Sequence, residues 1–123
     1  MDLNLEIPQG HNFIRSIGNE GIRIHDHYYT SPFILSATDL ESQWDCAAVD
    51  DIDAENLQVI FDMQPEVVII GCGQQQKFLP PAKQMLFLGR NIGVEIMITE
   101  AACYTFNVLV AEGRRVVAAL FTQ

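Results

Sequence analysis

The sequence predicts an α/β fold with a mixed central sheet, and three observations lead to this class. From residue 66 onward the chain alternates strand, helix, strand, helix and strand. The first third instead carries short apolar runs separated by hairpin turns. One long helix near the C-terminal end is apolar on two sides, which is typical of a helix packed within a domain or against another chain. Because helical crossovers join parallel strands and hairpins join antiparallel ones, both kinds of pairing are expected.

The bulk composition predicts one soluble domain. A chain of 123 residues with 49% hydrophobic content is long enough to bury an ordinary core. We divide it into a loosely held arm (1–11), a β-rich hairpin part (12–50) and an α/β part (51–123). Three cysteines without a Cys-x-x-Cys pair favour free thiols in a reducing compartment, and the N-terminus carries acid where a targeting peptide carries base. We therefore predict a cytoplasmic protein without membrane insertion.

The charge distribution argues against nucleic acid as a partner. The formal net charge is −9, and no lysine or arginine occurs between Arg23 and Lys77, a segment rich in aspartate and glutamate. Such a segment repels phosphate backbones. We interpret it as a solvated acidic face that keeps the protein soluble.

The first part of the chain is expected to be an antiparallel meander. Gly18-Asn19-Glu20-Gly21 provides a hairpin turn, and His25-Asp26-His27 marks a second reversal. A third strand is predicted over 28–36, with Pro32 confining part of it to a sheet edge. A turn-like stretch over 38–42 and a short strand over 44–49 complete this part.

The second part begins with a helix that Asp53 caps. The helix is expected to end near Met63, and the unbroken apolar run over 66–70 predicts a strand covered on both faces. A helix follows over 81–90, because a proline such as Pro81 suits the first helical turn.

The chain then forms a strand, the long helix and a last strand. The strand is predicted over 94–98. Thr99 is expected to cap the long helix, and Gly113 supplies the left-handed residue just past its end. The apolar run over 116–121 predicts a buried strand.

The long helix has two apolar arcs, which we interpret differently. One arc, containing Cys103 and Phe106, is expected to face the core of the domain. The other arc is nearly opposite and is our candidate surface for a partner protein or a second copy of this chain. It consists of Ala101, Tyr104, Val108 and Ala111.

A glycine turn after the first buried strand is the candidate cleft. Gly71-Cys72-Gly73 superficially matches a dinucleotide fingerprint, but the third glycine is missing and the helix starts late, so no nucleotide cofactor is predicted. Cys72 in this turn is interpreted as a small, half-buried and inert turn residue, with a reactive exposed thiol as the alternative. His25 and His27 lack a third ligand, so no metal site is predicted. Asn107 is expected to be buried and bonded to backbone.

Several segments together resemble a known family. These are the stretch from Pro65 to Gly73, the pair Pro80-Pro81, the strand from Gly93, and the Asn-x-Leu-x-x-Glu-Gly-Arg-Arg run that starts at Asn107. The chain resembles the Mth938-like domain family of unknown function, which includes a mitochondrial complex I assembly factor and an adipogenesis-associated protein. The resemblance implies a three-layer α/β domain with a mixed central sheet and an added hairpin layer. It also implies that six residues form one cluster beside the cleft: Gly71, Gly73, Glu95, Asn107, Glu112 and Arg114.

Two functions remain open from the sequence. The first is a non-enzymatic interaction or assembly-factor domain that docks through the second arc or an open sheet edge. The alternative is a small-ligand binding protein or an enzyme with a pocket at Gly71-Cys72-Gly73, where Arg114 would hold a carboxylate or phosphate. The sequence contains no catalytic signature: there is no Walker loop, nucleophile elbow or His-Glu-x-x-His motif. Self-association without another partner is a third possibility.

Overall fold

The computed structural model describes Leu3 and residues 9–122. Eight strands, three α-helices and one 3₁₀ turn (Val49–Asp51) follow one another along this part of the chain. The strands and helices are β1 (Ile14–Gly18), β2 (Gly21–Ile24), β3 (His27–Tyr29), β4 (Phe33–Ser36), β5 (Leu40–Glu41), α1 (Gln58–Asp62), β6 (Val67–Cys72), α2 (Pro81–Leu88), β7 (Gly93–Met97), α3 (Thr99–Ala111) and β8 (Val116–Phe121).

The central sheet has five strands in the order β5-β4-β8-β6-β7. β6 runs parallel to both β7 and β8, whereas β4 is antiparallel to β5 and β8. β8 therefore joins the hairpin-connected strands to the crossover-connected ones. The predicted mixed sheet is confirmed.

A second sheet forms the added hairpin layer. β1, β2 and β3 pair antiparallel in that order. Gly21 has a φ of +115° and a Cβ there would meet the Tyr29 carbonyl oxygen at 2.6 Å, so only glycine fits where β2 passes β3. The buried side chains of this layer include Ile14, Ile22 and Ile24, which pack with α3 on one face of the central sheet.

The central sheet separates two hydrophobic cores, because successive side chains of a strand point to opposite faces. Val117, Ala119 and Phe121 of β8 pack with α1 and α2 on one face. Val116, Ala118 and Leu120 pack on the other face with α3 and the hairpin layer. Every residue of β8 is buried. The result is the three-layer α/β arrangement that the resemblance implied.

The long helix, α3, matches its predicted span but not its predicted cap. Ile98 is the N-cap residue and no side chain caps the helix, because the Thr99 hydroxyl bonds elsewhere. At the other end the N–H of Gly113 donates to Val110 O and the N–H of Arg114 donates to Leu109 O, both at 3.0 Å. This is a Schellman motif, and the φ of +77° at Gly113 confirms the predicted left-handed residue.

The segment before α1 differs from its prediction. The strand expected over 28–36 is split at Thr30–Pro32 into β3 and β4, which belong to different sheets. The strand expected over 44–49 is absent from the described residues, and Leu40–Glu41 pairs with β4 where a turn was expected. Side chains fix this segment instead: the Trp44 indole N–H donates to Asn56 O at 2.7 Å, and its ring packs on Phe121.

Two further predictions concern the ends of elements. Asp53 accepts the N–H of Asn56 at 2.8 Å and the Asn56 side chain accepts the N–H of Asp53 at 3.0 Å, a reciprocal cap of the turn that leads into α1. The predicted arm lies partly outside the described residues. Within it, Leu3 donates its N–H to Arg15 O at 3.0 Å and is buried beside β1.

Candidate functional site

The three residues of the glycine turn have different environments. Gly71 is the fifth residue of β6 and lies against α3: a Cβ there would meet Leu120 Cδ2 at 2.9 Å and Ala102 Cβ at 3.1 Å. Gly73 follows the strand with a φ of +97° and makes the turn. Gly71 therefore allows close packing of helix on sheet, and Gly73 alone supplies the unusual backbone conformation.

Thr99 connects this turn to two other elements, a role that the sequence analysis missed. Its hydroxyl donates to Phe121 O at 2.6 Å and accepts the N–H of Gly73 at 2.8 Å, while its own N–H donates to Gly73 O at 2.9 Å. The start of α3, the end of β6 and the end of β8 thus meet at one buried side chain. A threonine directly after a strand signals a cap as readily as such a junction, so the sequence did not separate the two.

The three cysteines are free and buried. Cys72 points to the α1 and α2 side of the sheet, and its Sγ lies 3.2 Å from Gln75 O. Burial raises the pKa of Cys46 to about 11, with Asp51 adding to the effect. Burial and Glu100 raise the pKa of Cys103 to about 12.

A cleft of about 260 Å³ lies beside the glycine turn. It is bounded by the β1–β2 turn, the residues after β6 and the start of α3, with Gly73 and Thr99 in its wall. Gly71, Cys72 and Arg114 are not among its lining residues. Of the residues expected to form a pocket here, Gly73 alone lines this cleft.

Asn107 is buried on α3 and bonds to the hairpin layer. Its Oδ1 accepts the N–H of Ile14 at 2.8 Å, and its Nδ2 donates to Ile14 O at 2.8 Å. One side chain thereby replaces a strand partner for β1, which tethers α3 to the second sheet. The sequence correctly predicted a buried amide bonded to backbone.

The structure does not bring the expected cluster together. Glu95 is exposed on β7, and Glu112 is exposed at the end of α3. Arg114 forms an ion pair with Glu66 at 3.2 Å near the first residues of β6 and β8, whereas Gly73 follows the last residue of β6. Hydrogen bonds from the Arg115 N–H and from Arg114 lower the pKa of the Glu66 carboxyl. The six residues of the expected cluster are thus distributed over both ends of the sheet, its edge and its core.

The second arc of α3 lies at the surface of the protein. Tyr104 is 58% exposed and Ala111 is exposed, while Ala101 and Val108 are half-buried. The arc continues toward the edge of the central sheet, because Thr105 lies between Ala101 and Val108 on the helix and its hydroxyl contacts Met97 Sδ of β7 at 3.5 Å. Within the described residues, β7 pairs with β6 alone, so no strand covers its other edge. One β7 carbonyl, Ile96 O, accepts the side-chain amide of Gln76 at 3.2 Å.

Three exposed apolar side chains also follow the glycine turn, and the sequence analysis did not single them out. Phe78 is 92% exposed, and Met85 and Leu88 on α2 are 58% and 50% exposed. Only Phe87 of α2 is fully buried. Met85 and Leu88 are three residues apart and share a side of α2 that Phe87 does not face. This helical spacing would have identified the exposed face of α2 from the sequence.

Another cleft, of about 450 Å³, is acidic and surrounds Trp44. Four carboxylates line it, from Glu41, Asp45, Asp53 and Glu55. Among the described residues, no three His, Cys, Asp or Glu side chains are grouped so that they could hold a metal ion.

The fold is that of a three-layer α/β domain of the Mth938-like class. A Bordetella pertussis protein solved as a Mth938-like domain superposes with a TM-score of 0.81 at 27% identity, over 99% of this chain and 92% of that one. The chain belongs to the family described as protein of unknown function (DUF498/DUF598), whose model matches residues 14–121. The family resemblance noted from the sequence is confirmed.

Two relatives carry names that bear on function. The "13 kDa major membrane protein" of Francisella tularensis subsp. holarctica is 38% identical over 72% of this chain and 72% of its own length. NADH dehydrogenase [ubiquinone] 1 alpha subcomplex assembly factor 3 of Mus musculus is 32% identical over 96% of this chain. The chain spans 64% of the mouse protein's length. In the part of the chain that the structure describes, no helix is long and apolar enough to cross a membrane.

Proposed function

We propose that this chain is a non-enzymatic interaction domain that helps to assemble a larger protein complex. The relatives named as assembly factors support this role. The observation that carries the proposal is the combination of an open β7 edge with the exposed arc of α3 beside it. An edge strand offers unpaired backbone groups, and neighbouring apolar side chains add contact area and specificity.

The occupant we propose is an extended segment of another polypeptide that adds to β7. Glu95 lies at the middle of the five-residue strand and is exposed. Pairing of two β7 strands about a twofold axis would place Glu95 opposite its own copy, which is unfavourable. The chain also carries a net charge of −9. A partner strand with a lysine or arginine opposite Glu95 therefore fits better than a second copy.

The first experiment is native mass spectrometry of the tagged protein, purified gently at its natural expression level. We expect a stoichiometric second polypeptide with the unaltered chain. Glu95→Lys should lose it, since the charge opposite the partner strand is reversed, whereas Glu112→Lys makes the same change away from the edge and should retain it. Tyr104→Glu should also release the partner, with Tyr28→Glu on β3 as its matched control.

Three results would contradict this function. They are a bare chain, a homo-oligomer, or a partner that remains bound to both Glu95→Lys and Tyr104→Glu. Sedimentation of the purified chain separates the homo-oligomer from the monomer.

A small-ligand protein or enzyme is the second candidate, and the cleft of about 260 Å³ beside Gly73 favours it. It predicts that the purified chain carries a small additional mass. A purified chain without any additional mass would count against it. We also propose that the protein is cytoplasmic, and cell fractionation tests this location.

A further inference from the structure

A cleft at the opposite end of the sheet from the glycine turn has features of a binding site. It measures about 270 Å³ and lies between the start of β8, the C-terminal end of α3 and the connection that follows β4. Drug-sized ligands occupy pockets of about 300–1,000 Å³, so this cleft suits a smaller molecule. The residues that matter here are His11, Ser36, Val110, Gly113, Arg114 and Arg115.

The charge of this cleft is opposite to that of the protein. The chain has seven lysines and arginines against sixteen aspartates and glutamates. Arg114 and Arg115 both line the cleft, together with His11, and no carboxylate is among its lining residues. Glu66 lies beside both arginines: its Oε1 already accepts the N–H of Arg115 at 2.9 Å and pairs with Arg114 Nε at 3.2 Å.

The polar groups of the cleft have unused hydrogen-bonding capacity. Nδ1 of His11 is buried and has no hydrogen-bond partner among the residues described. Arg114 uses Nε on Glu66, and Arg115 uses Nε on Gln64 O at 3.4 Å. A guanidinium carries five N–H donors, so most of them remain available to a ligand. Ser36 Oγ accepts two backbone N–H groups, which leaves its own hydrogen free to donate.

The helix end does not account for these arginines. A cation near a helix C-terminus often satisfies the last carbonyl groups. Here the carbonyls of Val108, Leu109 and Val110 already accept backbone N–H groups in the Schellman turn and the last helical turn. In the part of the chain that the structure describes, neither guanidinium group donates to a carbonyl of α3: Arg114 pairs with Glu66, and Arg115 donates to Gln64 O.

We propose that this cleft binds a small organic anion, a carboxylate on a short apolar body. The arginines and His11 would hold the carboxylate, since guanidinium groups bind it through paired hydrogen bonds. The apolar body would lie on Val110 and the neighbouring aliphatic wall, which includes Met63 and Pro65. The site is separate from the β7 edge, so this proposal does not depend on the proposed function.

The test is a titration of ¹⁵N-labelled protein followed by NMR, with hexanoate as the probe. We expect saturable shifts of the backbone amides from Gly113 to Val116 and around Ala37. Hexanamide has the same body without the charge, and it should bind about tenfold more weakly or not at all. Equal shifts with both probes, or no saturable shift with millimolar hexanoate, would overturn the proposal without any variant being made.

Two double variants test whether the positive charge that binds hexanoate comes from the arginines of this cleft. Arg114→Gln/Arg115→Gln should weaken hexanoate binding about tenfold or more. Arg23→Gln/Lys77→Gln removes the same charge from two other positions and should leave binding unchanged. If both double variants weaken binding equally, the effect is one of net charge and the site is refuted.

Discussion

Gly71 shows how the absence of one Cβ sets the distance between a helix and a sheet. The position has an ordinary backbone conformation, so its glycine is explained by space and not by φ. Leu120 Cδ2, Thr99 Oγ1 and Ala102 Cβ all lie within 3.1 Å of the place that a Cβ would occupy. The start of α3 can therefore rest directly on β6, which brings Thr99 within reach of its partners.

We predict that Gly71→Ala destabilises the protein by about 1–3 kcal/mol, because an added methyl group forces packed neighbours apart. Gly18→Ala is the matched control: nothing lies within 4 Å of its Cβ position and its φ is ordinary, so the change should stay within about 0.5 kcal/mol. Urea unfolding followed by circular dichroism measures both. Equal effects at the two positions would refute the packing role of Gly71.

The environment of a residue was predicted correctly where it follows from the local sequence pattern. It was predicted wrongly where it depends on residues that are distant in the chain. Asn107 was predicted to be buried because it falls between two apolar arcs of one helix. The cluster joining Arg114 to Gly73 was expected from family resemblance alone. Arg114 precedes β8 and Gly73 follows the parallel strand β6, so the chain direction of two paired strands holds them at opposite ends of the sheet.

At the scale of elements, α3 is the part that joins the others. It packs on β6 and β8, bonds to β1 through Asn107, and contacts β7 through Thr105. The elements after residue 66 were predictable because prolines, glycines and apolar runs mark them locally. The segment before α1 was not, since Trp44 fixes it by contacts with Asn56 and Phe121, which are distant in sequence.

The Thr99 junction gives a prediction at this scale. Thr99→Val keeps the shape of the side chain but leaves the N–H of Gly73 and the carbonyl of Phe121 without their buried partner. The expected cost is about 1–3 kcal/mol. Thr99→Ser retains the hydroxyl and should recover most of the loss. Denaturant unfolding measures stability, and amide exchange at Gly73 shows whether the junction itself has opened. A valine variant as stable as the serine variant would contradict this role.

At the scale of the whole molecule, stability rests on two cores that share one sheet. Cys103 belongs to the core on the α3 side and has no exposed surface. Its pKa is raised to about 12 in the folded protein, against about 8.5 in an unfolded chain. The folded state therefore keeps the thiol proton over a range of pH in which the unfolded state loses it.

The free energy of unfolding should consequently fall as the pH rises. The contribution of Cys103 is fully present below about pH 8.5 and is lost toward about pH 12, with a slope of at most about 1.4 kcal/mol per pH unit. Cys103→Ala removes this titration, so its stability should decline less steeply between about pH 8.5 and pH 10. Urea unfolding at a series of pH values compares the two slopes. Identical slopes would show that the thiol does not contribute.

The place of β8 in the sheet has a consequence for biosynthesis. β8 lies between β4 and β6, yet it follows both of them in the chain. While the ribosome is still making α3, β4 and β6 each present an edge whose natural neighbour does not yet exist. Unpaired strand edges recruit other strands, and nascent chains are vulnerable in this state. The two halves of the central sheet thus join only after translation has passed residue 121. A chaperone would matter most before that point, while both strand edges are still unpaired.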